Sequence, residues 1–294
     1  MSNKNLERRK SIYWYIAALF CVSWVIQIFA ILVTGDVNKS SAPVWLVATM
    51  VSPFFVTLLF LHRNQEWKQK LLWKPNNSIF ITSFLAVLVP IILGFTTLLI
   101  IQNLDLGKSL WFDFSTSKPN ILAGPFILGK GNQSWLVFIS NVFITGLLFA
   151  LLNATVATGE EFAWRGLLQP LMTEKFGLIK GITLLGIVWS FWHLPVLING
   201  YNYPESPLLG AFILFPIRSI ATSYFYVWLT YKSKSFIPAS IAHGALNGIQ
   251  TAVVFNIEKT SHPLYENVIT ILLAVIVGIF FLSLTAKSMK SNVN

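Results

Sequence analysis

Long uncharged segments constrain this chain more than any other feature of its sequence. A stretch of about 20 apolar residues crosses a hydrocarbon layer of about 30 Å. Because backbone groups inside lipid must pair within their own segment, such spans are α-helices. We therefore predict an all-α, polytopic integral membrane protein with about eight transmembrane helices. The eight candidate segments lie near residues 11–34, 43–62, 78–102, 135–173, 178–198, 207–230, 236–256 and 267–286.

Composition supports this class and indicates a single domain. Of the 294 residues, 55% are hydrophobic and 11% are charged, whereas about 25% charged is usual for a soluble domain. The connections between segments are too short to hold an independent domain, so we interpret residues 1–294 as one transmembrane domain. The segment 135–173 is too long for one straight span, which predicts a bend or break within it, near Gly159. The outer segment 103–133, which carries Trp111, Phe112 and Phe114, is expected to be an ordinary loop; the alternative is a segment that lies on the membrane surface near the site. The short connections are 35–42, 199–206, 231–235 and 257–266.

The net charge of +10 follows the membrane topology and does not indicate a nucleic-acid partner. With the N-terminus inside, most basic residues fall on the cytoplasmic side, which is the bias of multi-pass proteins. The prediction is a multi-pass protein of the cell membrane with both termini in the cytoplasm. The first apolar stretch lacks a small-residue cleavage site and is expected to remain as a span. The inner basic residues are Lys4, Arg8, Arg9, Lys10, Arg63, Lys68, Lys70, Lys74, Lys175, Lys180, Lys232, Lys234, Lys287 and Lys290; the outer ones are Lys39, Lys108, Lys118, Lys130 and Lys259.

Ionisable residues within the predicted spans are confined to the second half of the chain. An ionisable side chain at the bilayer centre costs roughly 2.5 kcal/mol or more, so such residues usually face a bundle interior or a watery cavity. Their clustering predicts one shared cavity. The residues are Glu160, Glu161, Arg165, His193, Arg218 and His243.

Helix geometry places two of these residues at the same depth. A tight turn at Gly177 would join the fourth and fifth segments as an antiparallel hairpin. Glu160 and His193 both lie about 15 residues from that turn, or ~20–25 Å along the helix axis. His243 lies ~10 Å from the cytoplasmic end of its own segment, so it is expected to be shallower than Glu160. Asn247 follows His243 by four residues on the same helix face.

The two adjacent carboxylates can have different roles. Glu161 and Arg165 are spaced by four residues and can pair, while Glu160 points about 100° away from them. Glu160 is then a candidate general base. The alternative is a helix end whose charges are solvated.

The other polar residues also have two interpretations each. His193 is either part of the site or a buried histidine bonded to a backbone carbonyl. His243 and Asn247 are either functional or a hydrogen-bonding pair that joins two helices. Arg218 would counter Glu161, bind a substrate carboxylate or extend towards the membrane surface.

Taken in order on successive helices, these motifs resemble those of the CPBP intramembrane protease family, which includes CAAX prenyl endopeptidases and bacteriocin-processing (Abi) proteins. The motifs are E-E-x-x-x-R at 160–165, an aromatic residue four positions before His193, and H-x-x-x-N at 243–247. The resemblance covers a family-like catalytic core of about residues 135–250. The second motif usually begins with Phe, and Trp189 stands there in this chain.

The resemblance implies a hydrolase acting on a peptide or protein substrate at the lipid bilayer. It implies that Glu160, helped by His193, activates a water molecule, that His243 and Asn247 stabilise the oxyanion, and that Glu161 and Arg165 hold the base in place.

Other functions compete with this expectation. The expected reaction needs no cofactor; a zinc-dependent version would use Glu160, His193 and His243 as ligands, but the chain has no His-Glu-x-x-His helix. A transporter or a non-catalytic membrane scaffold are the alternatives from other classes. The absence of an internal repeat disfavours the transporter.

Overall fold

The computed structural model describes residues 3–35, 42–253, 257–259 and 264–291. The predicted connections 35–42 and 257–266 lie partly outside these residues, and the predicted outer residue Lys39 lies outside them. The helical class is confirmed, since each predicted span is mostly helical where it is described. The helices are α1 (Asn3–Thr34), α2 (Ala42–Arg63), α3 (Gln65–Lys70), α4 (Ile79–Asn103), α5 (Trp135–Glu161), α6 (Gln169–Phe176), α7 (Leu178–Trp192), α8 (Leu194–Ile198), α9 (Pro207–Leu209), α10 (Phe215–Ser233), α11 (Ile237–Val253) and α12 (Leu264–Ser291).

Six helical segments among the described residues are long and apolar enough to cross a membrane. Two further predicted spans, α7 and α11, are helical but have 15 and 17 residues. The chain is therefore a multi-pass membrane protein. The six segments are Ser11–Thr34, Val44–Arg63, Ile79–Asn103, Trp135–Phe176, Pro207–Ser233 and Leu264–Ser291.

The longest segment does not break at Gly159, where we expected a bend or break. α5 continues to Glu161, and a π-helix then spans Phe162–Leu168 before α6 begins. Gly159 has a different role: a Cβ atom there would lie 2.6 Å from the carbonyl oxygen of Met50 in α2. The glycine therefore lets α2 cross α5 at close range, one residue before Glu160.

The predicted turn between α6 and α7 is confirmed, but the fifth span is not one helix. Gly177 has φ +77°, which favours glycine, and closes the turn. α7 ends at Trp192, and α8 begins after His193. Since a helix end leaves carbonyl groups without partners, the Trp192 carbonyl accepts hydrogen bonds from Trp24 Nε1 (3.1 Å) and Gln27 Nε2 (3.0 Å) of α1.

The outer segment between α4 and α5 is folded onto the helices and is not a simple loop. Its strands β2, β3 and β4 form an antiparallel sheet, and β1 pairs with β5. The backbone N–H groups of Ile127 and Leu128 donate to Thr145 Oγ1 (3.2 Å) and Asn141 Oδ1 (2.9 Å) on α5. Polar residues of α5 thus hold the segment in place. The strands are β1 (Gly107–Ser109), β2 (Phe112–Asp113), β3 (Asn120–Ile121), β4 (Gly131–Asn132) and β5 (Ile257–Lys259).

At the opposite end of the molecule, backbone hydrogen bonds join the connection after α3, the π-helix and the connection between α10 and α11. Leu72, after α3, donates to the carbonyl of Gly166 (2.9 Å) and accepts from the N–H of Phe236 (2.9 Å). Lys70 also pairs with Glu174 of α6. The predicted inner basic residues Lys70, Lys175 and Lys232 lie in or beside these connections.

α11 packs directly on α5 through a glycine. A Cβ atom at Gly244 would contact the carbonyl oxygen of Ala150 and the backbone nitrogen of Ala154. One turn later, a Cβ atom at Gly248 would meet side-chain atoms of Phe149 and Asn153 at 3.3 and 3.5 Å. Only the first position needs glycine to avoid a clash with backbone.

We expect Gly244→Ala to destabilise the fold by about 1–3 kcal/mol, because backbone atoms of α5 cannot move aside as side chains do. Thermal unfolding of the purified protein in detergent measures this as a lower midpoint. Gly248→Ala is the matched control and should lower the midpoint less. Equal midpoints for the two variants would show that the helices do not make this close approach.

Candidate active site

Four of the predicted site residues line one cavity. The cavity has a volume of about 590 Å³ and lies between α1, α2, α5, α7, α10 and α11. Glu160, His193, His243 and Asn247 all contribute to its wall. We call it the polar cavity. Of the six ionisable residues predicted to share one cavity, Glu160, His193, Arg218 and His243 line it, and Glu161 and Arg165 do not.

The other two predicted residues lie buried behind His243. Glu161 Oε1 is 3.2 Å from Arg165 Nη1 and 2.9 Å from His243 Nδ1. The predicted pairing of Glu161 with Arg165 is confirmed. We expected His243 to lie shallower in the membrane than Glu160. His243 nevertheless contacts the carboxylate of Glu161 from α11, so the two helices bring these residues together.

Arg165 is held on all sides by side chains from neighbouring helices. Its Nη2 donates to Ser223 Oγ at 3.0 Å. The guanidinium lies 4.3 Å from the ring centre of Trp189 and 4.7 Å from that of Tyr226, which are cation–π distances. Because Arg165 and Glu161 are both fully buried, each depends on the other for charge compensation.

Glu160 faces away from this pair, as its position on the helix predicts. Its Oε2 accepts a hydrogen bond from Trp189 Nε1 at 2.8 Å. Trp189 reaches Glu160 from α7 and stands where the second motif of the resembled family usually begins with Phe. An indole has an N–H donor that a phenyl ring lacks. Tryptophan at this position therefore orients the carboxylate, a role that its sequence position alone did not predict.

His193 lies at the break between α7 and α8, where its ring is accessible from the polar cavity. Nδ1 lies 2.9 Å from the Trp189 carbonyl oxygen. Since a carbonyl only accepts, Nδ1 carries the proton and Nε2 is left as the basic nitrogen of the neutral imidazole. Trp192 and Phe215 pack edge-on against the ring at 4.7 and 4.9 Å between ring centres. His193 therefore bonds a backbone carbonyl, as its structural interpretation predicts, and also lines the cavity; its functional role stays a prediction.

Further polar residues line the polar cavity, and of these the sequence reasoning selected only Arg218. Asn153 lies two turns before Glu160 on the same face of α5, and Gln27 comes from α1. Arg218 lines the cavity from α10. Burial raises the pKa of the Tyr201 phenol above its ordinary value, so Tyr201 is a neutral donor at the rim. Their common signal in the sequence is a polar residue inside or beside an apolar segment.

The arrangement fits zinc poorly. Across residues 3–35, 42–253, 257–259 and 264–291, no three His, Cys, Asp or Glu side chains gather into a group that could hold a metal ion. Each of the three candidate ligands has one atom engaged: His193 Nδ1 by the Trp189 carbonyl, His243 Nδ1 by Glu161, and Glu160 Oε2 by Trp189. Such bonds also orient histidines that bind metals, so the lack of a metal-binding group among the described residues is the observation that counts against zinc. We therefore derive no catalytic step through a metal.

Comparison with known proteins shows similarity to proteases. Residues 135–249 match the family described as type II CAAX prenyl endopeptidase Rce1-like. The "CAAX prenyl protease 2" of Methanococcus maripaludis is 35% identical over 107 residues, which cover 34% of this chain and 38% of that relative. The matched residues include all six predicted site residues. The resemblance inferred from the motifs is confirmed over this part of the chain.

We expect Arg165→Met to destabilise the protein by about 3–5 kcal/mol, because it leaves the Glu161 carboxylate buried with less compensation. The midpoint of thermal unfolding in detergent measures the loss. Arg63→Met, the same change at an exposed position at the end of α2, should leave the midpoint near that of the wild type. A stable Arg165→Met protein would mean that the ion pair does not hold these helices together.

Proposed function

We propose that this chain, a CPBP-family protein through its residues 135–249, is an intramembrane endopeptidase that hydrolyses a peptide bond of a membrane-associated peptide or protein. The observation that carries the proposal is the convergence of Glu160, His193, His243 and Asn247 on one cavity within the helical bundle. The named activity of the relative, a CAAX prenyl protease, supports the same reaction class.

Water activation is assigned to Glu160 and His193. The Trp189 indole N–H donates to one oxygen of Glu160, and the Trp189 carbonyl accepts a hydrogen bond from His193 Nδ1–H, so a single residue orients both groups. A water molecule between the carboxylate and His193 Nε2 would lose a proton to one of these bases. The resulting hydroxide attacks the carbonyl carbon of the scissile bond.

Oxyanion stabilisation is assigned to His243 and Asn247. Glu161 holds His243 through Nδ1, which leaves Nε2 for the substrate. As an imidazolium, His243 balances the local charge, since Arg165 and His243 then face the carboxylates of Glu160 and Glu161. Its Nε2–H and the amide N–H of Asn247 are donors suited to a developing oxyanion.

Bond cleavage completes the reaction without a further reactant. When the tetrahedral intermediate collapses, the carbon–nitrogen bond breaks, and the proton taken from water passes from Glu160 or His193 to the leaving amine. The products are a new carboxyl terminus and a new amino terminus. Glu161 and Arg165 are positioning residues in this scheme, since they act through His243 and through the helix that carries Glu160.

The proposed setting is the cell membrane, with both termini in the cytoplasm. The connections 63–79, 176–178 and 233–237 meet at one end of the molecule and carry or flank many of the basic residues. Under the positive-inside rule, this end faces the cytoplasm.

We expect Glu160→Gln to abolish cleavage and leave the fold intact, because Gln keeps the shape and loses the base. The measurement compares peptide termini in membranes of cells that express either the wild type or the variant at equal levels. Glu174→Gln, the same change at an exposed residue of α6, is the control and should cleave as the wild type does.

Two outcomes would contradict the proposal. Wild-type cleavage by Glu160→Gln would remove Glu160 from the mechanism. If no terminus differed between the wild type and the variant across growth conditions, the scaffold or transporter alternatives would replace the protease.

Metal chelation tests the proposed water activation separately. We expect cleavage by the purified protein to persist in EDTA or 1,10-phenanthroline, because carboxylate and imidazole bases need no metal ion. A zinc metalloprotease assayed in the same buffer is the control and should be inhibited. Loss of cleavage that added Zn²⁺ restores would overturn the metal-free mechanism.

A further inference from the structure

A second cavity adjoins the polar cavity on its outer side. It has a volume of about 280 Å³, and its lining is mainly apolar. We call it the aromatic cavity. The residues that characterise it are Phe95, Trp111, Phe112, Phe126, Val142 and Phe149.

Two asparagines belong to both cavities. Asn153 and Asn247 line the polar cavity and the aromatic cavity alike. α5 and α11 are close here, since a Cβ atom at Gly248 would lie 3.5 Å from Asn153 Nδ2. Asn247 is the residue assigned to the oxyanion, so an occupant of the aromatic cavity would lie next to the scissile bond.

Much of the aromatic cavity's wall comes from residues outside the segment 135–249 that matches the protease family. Phe95 belongs to α4, and Trp111, Phe112 and Phe126 belong to the outer segment. Phe112 packs against Phe95 and Phe126 with ring centres 5.2 and 5.4 Å apart. The outer segment is also bonded to α5 through Asn141 and Thr145. The wall is therefore preformed, as ligand sites usually are.

We propose that the aromatic cavity is a specificity subsite that receives a bulky apolar side chain of the peptide substrate, next to the scissile bond. This inference rests on the proposed endopeptidase function. Burial of an apolar side chain against aromatic rings is favourable because it removes apolar surface from water. The outer segment thereby takes part in selecting which peptides are cleaved, together with Val142 and Phe149 of α5.

The boundary between the cavities identifies the occupant as a side chain. Amide side chains both donate and accept hydrogen bonds, and these are the groups that a peptide backbone pairs with. A backbone that lies across Asn153 and Asn247 would place its scissile carbonyl in the polar cavity and direct a neighbouring side chain into the aromatic cavity.

The test measures cleavage specificity with the full chain purified and placed in liposomes. A proteome-derived peptide library is the probe, and mass spectrometry identifies new termini that appear with the wild type and not with Glu160→Gln. We expect the wild type to prefer a bulky apolar residue at one position beside the cleaved bond. Val142→Phe, which fills the cavity, should lower kcat/KM for such peptides by about tenfold or more, and should spare peptides with Ala at that position.

Val137→Phe is the matched control, since Val137 lies on the same helix with 41% of its surface exposed, against 9% for Val142. It should keep the wild-type preference. Phe149→Ala enlarges the cavity and should shift the preference towards larger side chains. This second variant decides the matter if Val142→Phe fails to fold.

Three outcomes would overturn the inference. If both cavity variants cleave with the wild-type preference, the cavity is not a subsite, and the proposed function stands. If Val142→Phe slows only peptides that carry a synthetic C16 thioether chain, the occupant is a hydrocarbon chain and not a side chain. If the wild type produces no terminus beyond those of Glu160→Gln, the proposed function fails and this inference fails with it.

Discussion

The Glu161 carboxylate is the contact on which the arrangement of the site depends. It binds Arg165 of the π-helix and His243 of α11, and Arg165 in turn binds Ser223 of α10. The chain around residues 161–165 is thus joined to α10 and α11 by a buried ion pair and its hydrogen bonds. Removal of one partner leaves the remaining charge buried without compensation, which destabilises the fold. The cluster therefore fixes where Glu160, the next residue along the chain, can lie.

Close packing of helices sets the distances between the walls of the polar cavity beside this cluster. Gly159 and Gly244 let α2 and α11 approach the backbone of α5. Larger residues at these positions would push the helices apart and change the distance between Glu160 and His243. Interfaces rich in small residues are typical of membrane helices, where packing replaces the hydrophobic effect. The glycine directly before Glu160 thus has a structural reason that is independent of catalysis.

Regular features of the site could be predicted from sequence, and its irregular features could not. The length of the apolar stretches predicted the spans. The spacing of four residues predicted the Glu161–Arg165 pair, and Gly177 predicted the turn. These signals are local, so tertiary contacts did not override them. The π-helix after Glu161, the helix break at His193 and the indole donor of Trp189 depend on contacts from other helices. Trp24 and Gln27, for example, bind the Trp192 carbonyl from α1, and no pattern around residue 192 indicates them.

In the proposed function, one part of this chain carries the chemistry, and a second part shares in the selection of substrates. The groups assigned to water activation and oxyanion stabilisation all fall within residues 135–249, where the sequence resembles known proteases. Phe95 and the outer segment, which wall the aromatic cavity, fall outside that region. Electrostatic groups in a catalytic site tolerate little displacement, whereas an apolar wall discriminates by shape and tolerates exchange of one large side chain for another. A chain built in this way can acquire a new substrate preference through its outer segment and keep its ion-paired core unchanged.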